Sequence, residues 1–553
     1  MYTITRFSTV AALLRRLSLT AAITLALLAV SLAGCNGGDE DAGASPTPLQ
    51  PTPTGITPIA GALDLATESA AATIYGIDGG DFPNGFSALA SGDFNADGRP
   101  DLLIGAAFAD GPDNARKEAG EAYILYGRDE RPATLDLAED DQATTIYGVS
   151  AGDNLGTTVL AADLNADGID DVIVGAPGVT AGADPRTDQG RAYVFFGSPD
   201  LSGSFDLGDD PQDFVVTGAE GFSRVGDALA AGDVNGDGIT DLILGAPFAG
   251  RPVGSRPGSP RTETGEMYVI FGSPSLSGER NTTFGEQDFT ATGNQRFSQF
   301  GGAVASGDVN DDGIDDIIVG APQTDLAEGE SIAAGAVYVF LGREDLSGRL
   351  FIAEEEQDSV ILGAAAGNSL GHPLATADVN GDGIDDIVVG ARVADNPEAA
   401  GSSSGAAIVM FGRRDLEDKV DLATTPPGAA VYGAKPGDLI PSSLSLSDLT
   451  GDGVADILLA TVIGPQERRT AGAVYLVPGG VGLSGSLTLG ASVQVLTVVG
   501  AQADDELGAS LVPLPSVEGE TPAFFTLASG ADGPDDARPD TGEILLIEVN
   551  LPP

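Results

Sequence analysis

Asp308-Val-Asn-Asp-Asp-Gly-Ile-Asp-Asp-Ile-Ile-Val-Gly-Ala-Pro322 is the stretch on which the reading of the fold turns. Its first half places side-chain oxygens at loop positions 1, 3, 5 and 9, on Asp308, Asn310, Asp312 and Asp316. Gly313 at position 6 permits the sharp turn that such a loop needs. The second half, from Asp316 onward, is apolar at consecutive positions and does not alternate. A strand of that pattern is covered on both faces.

The stretch recurs. The first loop Asp falls at 93, 163, 233, 308, 378 and 448, in steps of 70, 70, 75, 70 and 70, and a degenerate seventh copy follows with Leu507-Gly508 in the place of Phe300-Gly301. Each copy carries a strand ending in Gly, a small-residue strand, the Asp loop, an aliphatic strand and a Tyr/Phe-rich strand. The aliphatic strand reads Asp101-Leu-Leu-Ile-Gly-Ala, Asp171-Val-Ile-Val-Gly-Ala and Asp241-Leu-Ile-Leu-Gly-Ala in the first three copies. Sheets covered by neighbours on both sides are blades around an axis. A chain of 553 residues would by length alone hold several domains, but a continuous repeat argues for one.

Strand order predicts how the ring closes. Ala72-Thr-Ile-Tyr-Gly76 is equivalent to Thr144-Thr-Ile-Tyr-Gly148, an outer strand that appears before any inner one. Glu543-Ile-Leu-Leu-Ile-Glu-Val549 is a third strand with no fourth behind it. Joining the two completes a seventh blade and removes the open edges. The expected fold is an all-β, seven-bladed β-propeller over 62–550, with four-stranded antiparallel blades closed by the N-terminal strand.

Phe300-Gly301 and Gly320-Ala321-Pro322 flanking an Asp loop resemble the FG-GAP repeat of integrin α-subunit propellers and of many bacterial surface proteins. The second signature recurs as Gly175-Ala176-Pro177 and Gly245-Ala246-Pro247. It is partly lost in Gly105-Ala106-Ala107, Gly390-Ala391-Arg392 and Ala460-Thr461-Val462, read as packing changes that leave the sixth blade the looser one. Adhesion is what the resemblance implies, although a fold does not fix a function.

The loops read as calcium sites. Ca²⁺ takes six to eight hard oxygens, and alternate residues of a tight loop all point inward, with a carbonyl at position 7 adding one more. Five loops carry the full set: Asp93, Asn95, Asp97 and Asp101; Asp163, Asn165, Asp167 and Asp171; Asp233, Asn235, Asp237 and Asp241; Asp308, Asn310, Asp312 and Asp316; Asp378, Asn380, Asp382 and Asp386. The sixth, Asp448, Thr450, Asp452 and Asp456, has a hydroxyl, a weaker donor, where the others have Asn. Near 516–521 in the seventh copy no ion is expected. A single Asp-x-Asn-x-Asp-Gly is often only a turn, but six on one period are more than turns, because three converging carboxylates without a cation repel one another. Asp170, Asp315 and Asp385 at position 8 are read as facing solvent.

The N-terminus has its own grammar. Arg15 and Arg16 precede an apolar run at 17–32 that ends in Leu32-Ala33-Gly34-Cys35. That is a secretory signal, and its last four residues resemble the lipobox of bacterial lipoproteins, which makes Cys35 the lipidated residue and 1–35 the signal. Residues 36–61 alternate Pro with small polar residues and read as an extended tether. The chain is thus expected in the cell envelope or at its surface, held to the membrane through the lipid alone.

Composition excludes some functions. With 82 acids against 26 bases, a net charge of −56, the surface repels nucleic acid. The chain has one histidine, His372, so neither a His-based zinc site nor a Ser-His-Asp triad can be assembled. His372 is read as filling the central channel. A non-enzymatic binding module for a protein or glycan is the favoured reading. A carbohydrate-active enzyme on a propeller scaffold is the alternative, weakened by the absence of Trp, and a purely structural envelope protein is the third. The ligand face is expected opposite the Asp loops, where the longer connections lie (108–119, 178–189 and 248–264). The last of these carries Arg251, Arg256 and Arg261.

Overall fold

A computed structural model describes residues 61–549 except 77–87, 129–131, 138–143, 181–187, 219–221, 251–262, 326–332, 399–400, 464–469, 491–494, 515–520 and 532–541. The signal, Cys35 and all of the tether except Gly61 lie outside the described residues, as do the arginines of 251–262 and all but the last residue of 516–521.

Seven sheets form seven blades. In blade 4 the innermost strand is Ala303–Gly307, followed outward by Asp316–Ala321, Ala336–Phe340 and Ser359–Leu362, all antiparallel. The second strand of blades 1 to 6 is buried at all six positions, including Asp456–Thr461 of the sixth blade, so the departure at Ala460 leaves it no looser. No sheet has its own core. The apolar side chains gather into seven clusters, one at each seam between neighbours, as where Ile243, Val269 and Phe289 of blade 3 meet Phe300, Ile317 and Phe340 of blade 4.

Each blade is five-stranded and mixed, which corrects the expectation of four antiparallel strands. The fifth strand is short, parallel and lent by the next blade, from the connection between its third and fourth strands. Ser204–Asp206 of that connection in blade 2 pairs with Thr144–Tyr147 of blade 1, and Lys419–Asp421 likewise covers blade 4. These strands span three or four residues with mostly exposed or half-buried side chains, so they leave no apolar run in the sequence.

Closure follows the same rule twice. Ala72–Tyr75 pairs antiparallel with Glu543–Glu548 and completes blade 7, as its position in the repeat implies. Ahead of it, Gly61–Asp64 pairs parallel with Leu496–Val499 and completes blade 6. The N-terminal segment therefore begins one strand earlier than expected and closes two blades.

The FG and GAP signatures are two halves of one contact between blades. A Cβ on Gly245 would lie 2.0 Å from the carbonyl oxygen of Gly301, and one on Gly320 would lie 1.9 Å from that of Gly371. Only glycine lets these backbones approach so closely. In the sixth copy Ala460 takes the place of the GAP glycine, facing Gly508.

Candidate metal centres

The six Asp loops are turns between first and second strands, so they share one face of the disc. Their geometry is nearly identical. The position 1 carboxylate caps the turn: in the fourth loop Asp308 accepts from the amides of Asp312 at 3.1 Å and Gly313 at 2.8 Å. The position 5 carboxylate accepts from the amide at position 7, as Asp312 does from Ile314 at 3.0 Å. The same bonds recur in the first and sixth loops.

Position 9 is the anchor. Asp101, Asp171, Asp241, Asp316, Asp386 and Asp456 are all buried at the start of the second strand. One oxygen accepts from the position 2 amide and the other from a glycine after the third strand, as Asp316 does from Val309 at 3.0 Å and Gly342 at 2.9 Å. Burial above all, and then the carboxylates at positions 1 and 5, push Asp171, Asp241, Asp316 and Asp386 up to about 7. Asp101 and Asp456 are pushed up to about 6, mainly by burial.

This donor set suits a hard cation. Each loop offers three carboxylates with backbone amides as their main countercharge, and a carboxylate oxygen that accepts one hydrogen bond keeps a lone pair. At position 3 of the fourth loop, the Oδ1 atom of Asn310 is buried without a hydrogen-bond partner. An oxygen left so is the acceptor an ion would use. Among the described residues, no three acidic, imidazole or thiol groups already close on one point as a finished shell. The loops bring the predicted ligands onto one turn, with the carboxylates held by backbone amides.

The position 8 aspartates do not face solvent. Asp170 accepts from the amide of Asp93 in the preceding loop at 2.9 Å, and Asp315 accepts from that of Asp233 at 2.9 Å. The amide of Asp308 serves Asp385 in the same way. In these three loops the first amide is turned away from its own turn, and the next blade supplies its acceptor. The pairing shows in the sequence. Gly92, Gly232 and Gly307 precede the first Asp in the three loops whose neighbour has Asp at position 8, and a Cβ on any of them would lie within 2.8 Å of that carboxylate. Loops whose neighbour lacks this Asp have Ala162, Ala377 or Ser447 there.

The opposite face has two features that no motif announced. In the connection from the fourth strand of one blade to the first of the next, one register position is left-handed in every described copy. Gly152, Gly367 and Gly437 hold it with φ of 83°, 81° and 82°, and Asp504 with 74°. In two adjacent blades the residue is Phe: Phe222 at φ 59° and Phe297 at φ 63°. Both rings are exposed, at 41 % and 52 %, and Arg296 lies 4.4 Å over the ring of Phe297. The second feature is His372, near this end of the innermost strand Leu370–Ala377. Its side chain is exposed by surface area, yet the protein packed around it, and then the nearby Arg392, push its pKa down.

Comparison with known proteins agrees with this architecture. The FG-GAP repeat model matches 85–125, 155–195, 225–270, 300–340 and 371–410, which are blades 1 to 5. The rat phosphatidylinositol-glycan-specific phospholipase D is 27 % identical over 391 residues, 67 % of this chain and 42 % of that protein. The human protein of that name is 33 % identical over 217 residues, 39 % of this chain and 24 % of its own length. Integrin alpha-4 of Xenopus laevis is 30 % identical over 252 residues, 45 % of this chain and 20 % of the integrin. The chain thus spans less than half the length of these relatives. It is a seven-bladed β-propeller in which five blades carry FG-GAP repeats, with homology to the propeller region of integrin α subunits.

Proposed function

We propose that the chain is a lipid-tethered propeller outside the cytoplasmic membrane, stiffened by calcium in its Asp loops, which binds a protein or glycan on the opposite face. The observation that carries the binding face is the pair Phe222 and Phe297. A bulky residue in a left-handed conformation costs on the order of 1–2 kcal/mol, and rings left 41 % and 52 % exposed recover only part of it by burial. Three other copies use glycine at this register, so the fold does not require Phe. Exposed aromatics on a rigid scaffold are the groups that anchor partners.

The phospholipase match supports a shared propeller and not a shared reaction, since more than half of the rat enzyme is unmatched. The donor set supports calcium, and the resemblance of 32–35 to a lipobox, with the tether after it, supports the envelope location.

The double variant Phe222→Gly, Phe297→Gly tests the face. It should melt at the parent temperature or a few degrees above it, while capture of partners from envelope extract and on a glycan array is lost. Retained capture, with loss only after changes on the loop face such as Arg414→Ala, whose guanidinium pairs with Asp311 of the fourth loop, would overturn the assignment. Attachment is tested separately. Cys35→Ser should abolish palmitate labelling, and a variant that still carries labelled lipid removes the lipobox reading.

A further inference from the structure

In a chain whose acids outnumber its bases by 82 to 26, a guanidinium without an acid is conspicuous. Arg116 pairs with Asp206, Arg224 with Asp227, Arg296 with Glu263, Arg349 with Glu266 and Arg413 with Glu417. Arg392 has no ion pair among the described residues, and its Nε is buried without a hydrogen-bond partner. Arg191 also has a bare Nε, but it reaches the Tyr193 hydroxyl at 3.5 Å and lies near Asp153.

The place is specific. Arg392 follows the second strand of blade 5, Asp386–Ala391, where blades 2, 3 and 4 carry Pro177, Pro247 and Pro322. The innermost strand bulges beside it, so that Leu370 and His372 both pair with Ala391. This sets the one imidazole of the chain next to the bare guanidinium at the end of the channel away from the Asp loops. Besides Arg392, the charged group that acts on His372 is Asp227, from blade 3, which is itself paired with Arg224. Burial lowers the pKa of Arg392 from its ordinary value, in keeping with the lack of a paired acid among the described residues.

We propose that Arg392 and His372 form a receptor for one oxyanion group, a carboxylate or sulfate, at this mouth of the channel. A guanidinium presents parallel N–H donors that match such a group two at a time. A neutral imidazole adds a donor without a second charge to desolvate. The rest of the surface is acidic and repels anions, so an anion is held here only where the bare cation offsets that field. This deepens the reading of this face as the binding face and rests on it, although the receptor is testable without a macromolecular partner.

The single histidine provides the readout. The full chain, kept in calcium, is titrated with sodium sulfate and with sodium acetate at constant ionic strength, and the ring signals of His372 are followed by NMR. A saturable shift is expected with the wild-type chain. In Arg392→Gln, and in Arg392→Pro, which restores the residue of three other blades, the midpoint should rise about tenfold or more as the charge-assisted pair is lost. Arg392→Gln should melt no lower than the parent, because it removes an uncompensated charge. Sulfate should raise the melting temperature of the parent only. Absence of a saturable shift, or the same midpoint without Arg392, overturns the receptor, and so does a lower melting temperature for Arg392→Gln in the absence of anion. An oligogalacturonate and an Asp/Glu-rich peptide are the source arms, and the one that saturates at lower concentration than acetate names a glycan or a protein. Saturation by sulfate with no partner captured by the Phe222 and Phe297 face leaves the receptor standing and removes the partner reading.

Discussion

In chelator the chain should melt about 8 °C below its melting temperature in calcium. At tenfold excess over its dissociation constant each ion adds about 1.4 kcal/mol, so six loops give about 8 kcal/mol, comparable to the whole stability of a typical domain. Unfolding entropy of about 2.1 cal/mol/K per residue over about 490 residues makes 1 kcal/mol worth about 1 °C. Calorimetry should count five or six ions, the sixth depending on Thr450. The pH response gives an internal check. The folded position 9 carboxyls titrate at about 6 to 7, above the roughly 3.9 of an unfolded Asp. Their protonation therefore stabilises the chelated fold fully below about pH 4, and that contribution is lost as pH rises through 6 to 7. Chelated protein should melt higher at pH 5 than at pH 8. In calcium the difference should shrink or reverse, because protons compete with the ion. Unchanged melting in chelator would end the calcium reading.

Deletion of 61–76 should be as damaging. It strips Gly61–Asp64 from blade 6 and Ala72–Tyr75 from blade 7 in one cut. Ile74 and Ala72 leave one seam, and Leu63 and Leu65 leave the next. The lost burial and edge pairing amount to on the order of 5 kcal/mol. Two naked edges, Leu496–Val499 and Glu543–Glu548, then offer templates for association. Light scattering should show oligomers and calorimetry a lower transition. A monomer that melts like the parent would mean that the ring closes by other contacts.

The blade count, the buried second strands and the closing strand at Ala72–Tyr75 were legible because each rests on an apolar run at a fixed period. The fifth strands were not. Segments such as Thr134–Asp136 and Lys419–Asp421 owe their pairing to a neighbour's edge and not to their own composition. The position 8 aspartates were misread although their signal was present. Gly92, Gly232 and Gly307 mark the same blades that Asp170, Asp315 and Asp385 reach into, and only a comparison across the period exposes that match. Phe222 and Phe297 were hidden for a related reason: a Phe means nothing alone, and much at a register where other copies have glycine. Arg392 was read as a tolerated departure from the GAP signature, because sequence shows the lost proline but not the missing acid.

The Asp loops are joined as well as alike. In blade 2 the amide of Gly197 donates to Asp171 of its own loop, and the next amide, on Ser198, donates to the carbonyl of Phe94 in the loop before. Ser273, Arg343, Arg413 and Gly480 repeat that second bond to Leu164, Val234, Val309 and Val379. The loops are therefore wired in series, and from the second blade to the sixth each holds its own anchor and the preceding loop's backbone with two successive amides. A change in one loop is felt on both sides of it, because a hydrogen bond couples its two partners reciprocally. A lesion in a middle loop such as the third should therefore disturb two neighbours at once, since Ser273 ties that blade to the loop before it and Arg343 ties the next blade to it.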